Sequence, residues 1–363
     1  MKRALGACVI AVCGSWFAVS SVPAGARAAA AHDPITTKIT FAREIRAILA
    51  ARCAVCHAAG GSAPMPLTTY DEVRPWARAI KEQTLARRMP TWHAARGFGA
   101  FRNDPSLTPL EIAMVVSWVD GGLPFSSTSP RMPAASPSPV ASAPGASSSA
   151  ASAAAPLAAS AFRRKIGVPA VRVAAGAADG VARVGARWVS GWSFEPGDPL
   201  ITSATISLAD GTAVGHWVAG DEAVLLPSTS AIRITSPVRV SVRRRAPADY
   251  EQPFRARASV WRVVTRAQAP PRRVWTEQAA CGTPRVGRNA DLLAIRPMLE
   301  DGGSARIWLE RAGAPRTIVG WFRDFDARFP RTYWLARPVS LSTEARLSSS
   351  ERCDAILTLV SAR

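Results

Sequence analysis

Lysine, histidine and long apolar runs are all scarce in this chain, and each scarcity excludes something. Of the 45 basic residues only Lys2, Lys38, Lys81 and Lys165 are lysines, so arginine carries the formal charge of +19. The arginines are scattered rather than bunched on one predicted face. That argues against nucleic acid and for a solvated surface that attracts acidic partners. The histidines are His32, His57, His93 and His216, and only His216 lies beyond residue 161. A copper centre that needs several imidazoles cannot be assembled from that one ring. After the N-terminus no stretch is long and apolar enough to span a membrane. No second close pair of cysteines stands near Cys53 and Cys56 to complete a zinc site.

The N-terminus reads as a secretion leader. Lys2 and Arg3 supply the positive end, residues 4–19 the apolar core, and residues 26–31 the small-residue cleavage positions. Sixteen helical residues span about 24 Å, short of a hydrocarbon core of about 30 Å. Residues 1–31 are therefore expected to be removed, leaving the mature protein periplasmic or secreted. Cys8 and Cys13 leave with the leader. Cys281 and Cys353 remain in an oxidising compartment, where an even pair invites a disulfide; their spacing leaves the pairing open.

Cys53-Ala54-Val55-Cys56-His57 is the attachment pattern of a c-type haem. On one helical turn both sulfurs reach the two vinyl groups of a porphyrin edge and form thioethers. The imidazole of His57 then takes the proximal position on iron. The pattern is short, and a redox dithiol or half a zinc site are the competing readings. A dithiol has no use for the histidine. One covalent haem c is the reading these residues support, and export agrees with it.

Helical spacing surrounds the motif. Phe41, Ile45, Ile48 and Leu49 share a face of a helix over 40–52, with Thr40 as candidate N-cap. The prolines of Pro64-Met65-Pro66 enforce an extended loop. Thr69 and Glu72 fit a capping box, Pro75 interrupts it, and a helix is predicted over 75–88. Thr108-Pro109-Leu110-Glu111 is a second capping box; Ile112, Val115, Val116 and Val119 line that helix, and Gly121-Gly122 stops it. Residues 38–125 read as a small all-α domain, with Trp76, Trp92 and Trp118 walling the haem. Over 126–161, thirty of 36 residues are Ala, Ser or Pro, too few apolar side chains for a core. As a flexible linker its ends average roughly 30–36 Å apart, so the helical domain is expected to be tethered rather than fixed.

Beyond the linker the hydrophobic period switches to two, over 232–242, 306–309 and 333–335. Asp210-Gly211 and Asp301-Gly302-Gly303 supply turns. Roughly ten to twelve short strands and no helix are predicted, in antiparallel sandwiches. Pro270-Pro271 divides them into units of 162–269 and 270–363.

Residues 41–124 resemble the class I-like cytochrome c domain fused to bacterial, secreted, copper type II ascorbate-dependent monooxygenase-like proteins, the peptidylglycine hydroxylase-like family. The blocks that carry this are CHAAGGSAPMPLTTYDEVRPWARAIKEQTLARRMP and FRNDPSLTPLEIAMVVSWVDGG. One departure is Thr91, where such domains read Met-Pro-Pro-Trp; it is expected to loosen the loop slightly. LLAIRPMLEDGGSARIWLERAGAPRTIVGWFRDFDARFPRTYWLARPVSL is similar, more faintly, to the family's C-terminal jelly roll. There the arginine-proline pair precedes His-Met-His, two imidazoles of a copper site; here Arg296-Pro297 precedes Met298, Leu299 and Glu300. The family's earlier paired histidines and its His-Tyr strand are also unmatched, and around 240–246 this chain offers Arg243, Arg244 and Arg245.

The resemblance implies a class I cytochrome c domain followed by an all-β antiparallel jelly-roll region that has lost its copper ligands. It also implies a sixth iron ligand from the loop before the last helix. Met89, 32 residues after His57, is the candidate there. Met65 is the alternative, with His93 or an open position behind it. A thioether ligand favours ferrous iron. The function expected is single-electron transfer by an exported monohaem cytochrome whose redox partner is an acidic protein. No catalytic residue is assigned. A copper-dependent hydroxylase using Met298, Glu300 and His216, and a haem-based sensor, are the alternatives.

Overall fold

A computed structural model describes residues 37–102, 104–126, 170–235, 237–250, 252–280, 289–311, 313–351 and 354–362. The expected leader, the expected linker beyond residue 126, Cys281 and Cys353 lie outside the described residues, and so do the cleavage and disulfide expectations. What is described is mostly β-sheet, with few helices.

The described α-helices all precede residue 121; beyond it there is a 3-10 turn at Pro247–Asp249. A π-turn over Phe41–Ile45 runs into α1 (Arg46–Arg52), followed by α2 (Ala54–His57), α3 (Tyr70–Val73), α4 (Ala77–Leu85) and α5 (Pro109–Asp120). Both expected capping boxes form. Thr69 Oγ1 accepts from the Glu72 N–H at 3.3 Å and Thr108 Oγ1 from the Glu111 N–H at 3.1 Å, while each glutamate returns to its threonine's N–H. Each cap is worth about 1 kcal/mol. Thr40 does not cap through its hydroxyl; the Glu44 carboxylate accepts from the Thr40 N–H instead, at 2.9 Å. The helix expected over 75–88 begins at Ala77, because Arg74–Trp76 takes a tighter 3-10 turn around Pro75. Phe41, Ile45, Leu49, Val73, Val115 and Trp118 form the helical core. The segment's two ends close on each other, with the Phe41 and Ala42 N–H groups donating to the Pro124 and Phe125 carbonyls at 2.9 Å.

The strands run β1 (Ala170–Val173), β2 (Asp179–Ala182), β3 (Arg187–Glu195), β4 (Ile201–Leu208), β5 (Ala213–Val218), β6 (Val224–Leu225), β7 (Ser230–Ile234) and β8 (Val238–Arg244). They continue as β9 (Ser259–Arg266), β10 (Arg272–Ala280), β11 (Ala290–Met298), β12 (Ala305–Arg311), β13 (Ala314–Phe322), β14 (Tyr333–Leu341), β15 (Arg346–Ser349) and β16 (Asp354–Ser361). Sixteen described strands exceed the number expected because several, such as β6 with two residues, are too short to carry a period. One sheet has the order β1-β9-β3-β7-β10-β16-β11-β14, with β6 beside β3; the others are β2-β8-β4-β5 and β13-β12-β15. Pro270-Pro271 falls between β9 and β10, and the large sheet runs through it by a parallel β7–β10 pairing. Parallel pairing was not expected from the alternation, which reports faces rather than strand direction. The four-stranded sheet packs Ile201, Ile206 and Val240 against Val189, Phe194 and Trp261 of the large one. The three-stranded sheet packs Ile307, Leu309 and Phe322 against Leu292, Ile295 and Leu357. Each such side chain contributes roughly 1.5–3 kcal/mol by leaving water.

Between α4 and α5 the chain crosses onto the sheets. Ala94 bridges to Phe322 of β13, and Phe101 to Leu335 of β14. The Ala95 N–H donates to the Trp321 carbonyl at 2.7 Å and the Arg102 N–H to that of Trp334 at 2.9 Å. β13 and β14 are edge strands of two different sheets, so one arm covers both exposed edges. The helical segment is therefore docked on the β region rather than free on a tether. No helix among the described residues is long and apolar enough to cross a membrane.

Candidate functional site

The Cys53–His57 motif sits where α1 ends. Cys53 takes the last bond of α1, its N–H donating to the Leu49 carbonyl at 2.8 Å. The Cys56 and His57 N–H groups then donate to the Cys53 carbonyl at 3.1 and 2.9 Å. Cys53 and Cys56 thus stand three apart on one helical face, and both thiols are free. Burial, with Cys56 adding, pushes the Cys53 thiol up to about 12. A redox dithiol needs one cysteine with a depressed value, and Cys53 is not that cysteine.

His57 is oriented by its loop. Its Nδ1 donates to the Met65 carbonyl at 2.9 Å, since a carbonyl can only accept, and that leaves the lone pair on Nε2. Nε2 makes no hydrogen bond among the described residues. Burial holds the imidazole below its ordinary value, opposed by the Met65 bond and aided by Arg245. The loop folds back over the motif through Ala63 N–H to the Cys56 carbonyl, 3.0 Å, and Leu67 N–H to that of His57, 2.8 Å. Met65 consequently has its carbonyl on the imidazole and its side chain against the helical core.

Met89 is 43% exposed. It lines a cleft of about 710 Å³ with Thr84, Leu107, Ile112, Trp92 and Phe329, a size suited to a cofactor. Cys53, Cys56 and His57 are not among the residues lining that cleft, so the structure does not bring Met89 and the motif onto one wall. The neighbouring Thr91 departs from expectation. Its carbonyl accepts from Arg331 Nε at 2.7 Å and its hydroxyl from Arg331 Nη2 at 3.2 Å, so the residue ties the loop down rather than loosening it.

His93 is not available to iron. Its Nε2 accepts from the Asp326 N–H at 3.2 Å, which leaves Nδ1 to donate to Tyr333 Oη at 3.0 Å. Burial, then Arg331, brings it down to about 4. Both nitrogens are spent on the β region. Trp92 likewise lies in a sheet core, 4.6 Å from the Tyr333 ring, although it also reaches the cleft. Trp118 belongs to the helical core, fully buried, its indole N–H donating to the Pro124 carbonyl at 3.1 Å. The haem-wall role expected of these two is thus replaced or shared by packing.

Tyr250 and Gln252, which gave no signal in the sequence, join Arg245 in holding the loop that follows the motif. Tyr250 Oη donates to the Gly61 carbonyl at 2.7 Å, Gln252 Nε2 to that of Ala63 at 3.0 Å, and Arg245 to that of Ser62. The Gly60 N–H donates to Gln252 Oε1 at 3.1 Å. The run Arg243-Arg244-Arg245 is therefore structural: Arg243 donates to the Ala327 carbonyl and Arg244 pairs with Asp198 at 3.1 Å.

In the β region, His216 Nδ1 meets Thr205 Oγ1 at 2.8 Å, and its Nε2 is buried. Burial, then Arg296, holds the ring far below its ordinary value. Met298 is 44% exposed at the end of β11, unlike the buried His216 nitrogen. Among the described residues no three His, Cys, Asp or Glu side chains gather as a metal-holding group. A c-type haem asks for less: two sulfurs on a turn and one free imidazole nitrogen. The motif fits that requirement.

No family model and no curated protein matches this chain. Among solved structures, the major capsid protein P2 from bacteriophage PM2 aligns over 53% of this chain and 95% of its own, at 11% identity and a TM-score of 0.28. A likeness that weak bears neither on the fold nor on the site.

Proposed function

We propose that this chain is an exported monohaem c-type cytochrome that passes single electrons, with a β region that docks and supports it. The observation that carries the reading is the state of the His57 ring: Nδ1 is held by the Met65 carbonyl at 2.9 Å, and Nε2 is uncommitted beside two free thiols on one helical turn. Cys53 and Cys56 would anchor the haem as thioethers and His57 would take the proximal iron position. Bound there, haem supplies one-electron chemistry between ferric and ferrous iron. The Met65 carbonyl fixes the tautomer and the orientation of the ring, while burial favours its neutral form. Met65 is occupied on the His57 side, which favours Met89 as the sixth ligand.

The β region carries no assigned chemistry. Its resemblance to a copper monooxygenase is a resemblance of scaffold, because one histidine cannot supply the imidazoles such sites use. With Lys2, Arg3 and Arg27 removed along with the leader, the formal charge of +19 becomes +16, which would speed encounter with an acidic redox protein in the periplasm or outside the cell. The test is a pyridine haemochrome assay after acid–acetone extraction. Colour that stays with the denatured chain supports covalent haem; colour that washes out ends the proposal.

A further inference from the structure

A haem joined at Cys53 and Cys56 can gain a methionine ligand only if the loop carrying that methionine stands at a fixed distance from the motif. Both stretches rest on the same few residues of the sheets. On the motif side, the turn after β5 abuts Cys56. A Cβ on Gly220 would stand 2.9 Å from Cys56 Sγ and 3.2 Å from Arg331 Nη2. Gly220 has φ +89°, so glycine is required both by conformation and by space. On the other side lies Thr91, two residues after Met89. Arg331 Nε donates to its carbonyl at 2.7 Å and Nη2 to its hydroxyl at 3.2 Å.

The same guanidinium donates from Nη2 to the Ala219 carbonyl at 2.8 Å and pairs through Nη1 with Asp221. All three of its nitrogens are used, and the residue is 5% exposed. Asp221 is itself fixed, accepting from the Val218 N–H at 2.9 Å, while the Trp217 indole donates to its carbonyl at 3.1 Å. The turn 218–221 is therefore rigid, and Arg331 spans from it to the Met89 loop.

Resting on the haem reading above, we propose that Arg331 is the positioning residue for Met89: one guanidinium joins the turn that abuts Cys56 to the loop that carries Met89. The β region thereby decides whether the sixth iron position is filled. The motif has its own anchors in Arg245, Tyr250 and Gln252, so loss of Arg331 releases Met89 through Thr91 from the turn, while the arm stays held from His93 onward and the haem motif stays in place. Lysine cannot substitute, because a point-like ammonium cannot hold Thr91, Ala219 and Asp221 together. Proline at 91 would keep the carbonyl and lose the second acceptor.

The test compares full-length wild type with Arg331→Met. Three readouts are taken: covalent haem by pyridine haemochrome, the methionine–ferric band at about 695 nm, and carbon monoxide binding to the reduced protein. Both proteins are expected to keep covalent haem. Wild type shows the band and binds carbon monoxide slowly; the variant lacks the band and binds about tenfold faster or more, because an unfilled sixth position leaves the iron open to the gas. A variant that keeps the band and the slow rate overturns the inference, and so does a wild type with covalent haem but no band. Extraction of the colour from wild type overturns the haem reading as well. If Arg331→Met does not fold, the double variant Arg331→Met/Asp221→Leu removes both charges of the buried pair and is judged by the same three readouts.

Discussion

Two imidazoles, one in the helical segment and one on the arm that crosses the sheets, are used in opposite ways. His57 spends Nδ1 on the Met65 carbonyl and keeps Nε2 free. His93 spends one nitrogen on Tyr333 and the other on Asp326. Burial depresses both. A ring with an open lone pair can bind iron, whereas a ring with both nitrogens engaged is a joint between two parts of the fold. Spacing along the chain cannot separate these roles; only the partner of the second nitrogen does.

The contrast is broken most completely by removing the sulfurs beside His57. Cys53→Ser/Cys56→Ser is expected to lose all covalent haem by the haemochrome assay. On the haem reading, helical content should fall with it, because the porphyrin would add to the small core formed by Phe41, Ile45, Leu49 and Trp118. Full helical circular dichroism without haem would refute that dependence, and the free Nε2 would then need another explanation.

The second contrast concerns two guanidiniums. Arg331 and Arg296 are 5% and 6% exposed. Arg331 has partners on every nitrogen. The Arg296 side chain makes no hydrogen bond or ion pair among the described residues, its Nε is buried, and burial alone lowers it to about 10. Truncating a partnered buried charge is costly, and truncating an uncompensated one relieves a penalty. Arg331→Met should therefore destabilise by about 3–5 kcal/mol, and Arg296→Met should stabilise by about 1–2 kcal/mol. Urea midpoints at unchanged slope measure both. Equal signs would show that burial, not partnering, governs these arginines.

Much of the helical segment was legible because its signals are local. The two capping boxes, the stop at Gly121 and the Cys53-to-His57 turn each depend on residues within five positions. The β region was legible only as alternation, which predicts strands and faces but not that β7 and β10 run parallel. The contacts that matter most to the site were not legible at all. Thr91 meets Arg331, His93 meets Tyr333, and Gly61 meets Tyr250, across separations of more than 180 residues. A single chain has no local pattern for partners that distant, so Thr91 read as a small defect in a proline loop.

The His93 joint has a pH signature. Its value in the folded protein is about 4 against an ordinary 6.5. Arg331 pushes it down after burial, while Asp326, Asp324 and Asp301 oppose. Because the folded value is depressed, the unfolded chain takes up the proton first. The stabilisation is complete above about pH 6.5 and is lost as pH falls toward 4, by about 3 kcal/mol in all. His93→Gln should reduce the slope of that part of the stability profile by the share of His93, leaving the slope due to His57 and His216, whose rings burial also depresses. Identical profiles would mean that the Tyr333 and Asp326 contacts do not hold the ring in solution.

The smallest expected effect tests Thr91 itself. Thr91→Val keeps shape and the carbonyl that accepts from Arg331 Nε, and removes only the hydroxyl bonded to Nη2 at 3.2 Å. Arg331 Nη2 retains the Ala219 carbonyl, so the cost is one bond rather than an orphaned charge, about 1 kcal/mol. The same substitution in an Arg331→Met background should cost close to nothing, since the hydroxyl then has no guanidinium to meet. A full cost in both backgrounds would place the contribution of Thr91 in the loop alone, and the arm would then be held by His93 and the two sheet edges without help from position 91.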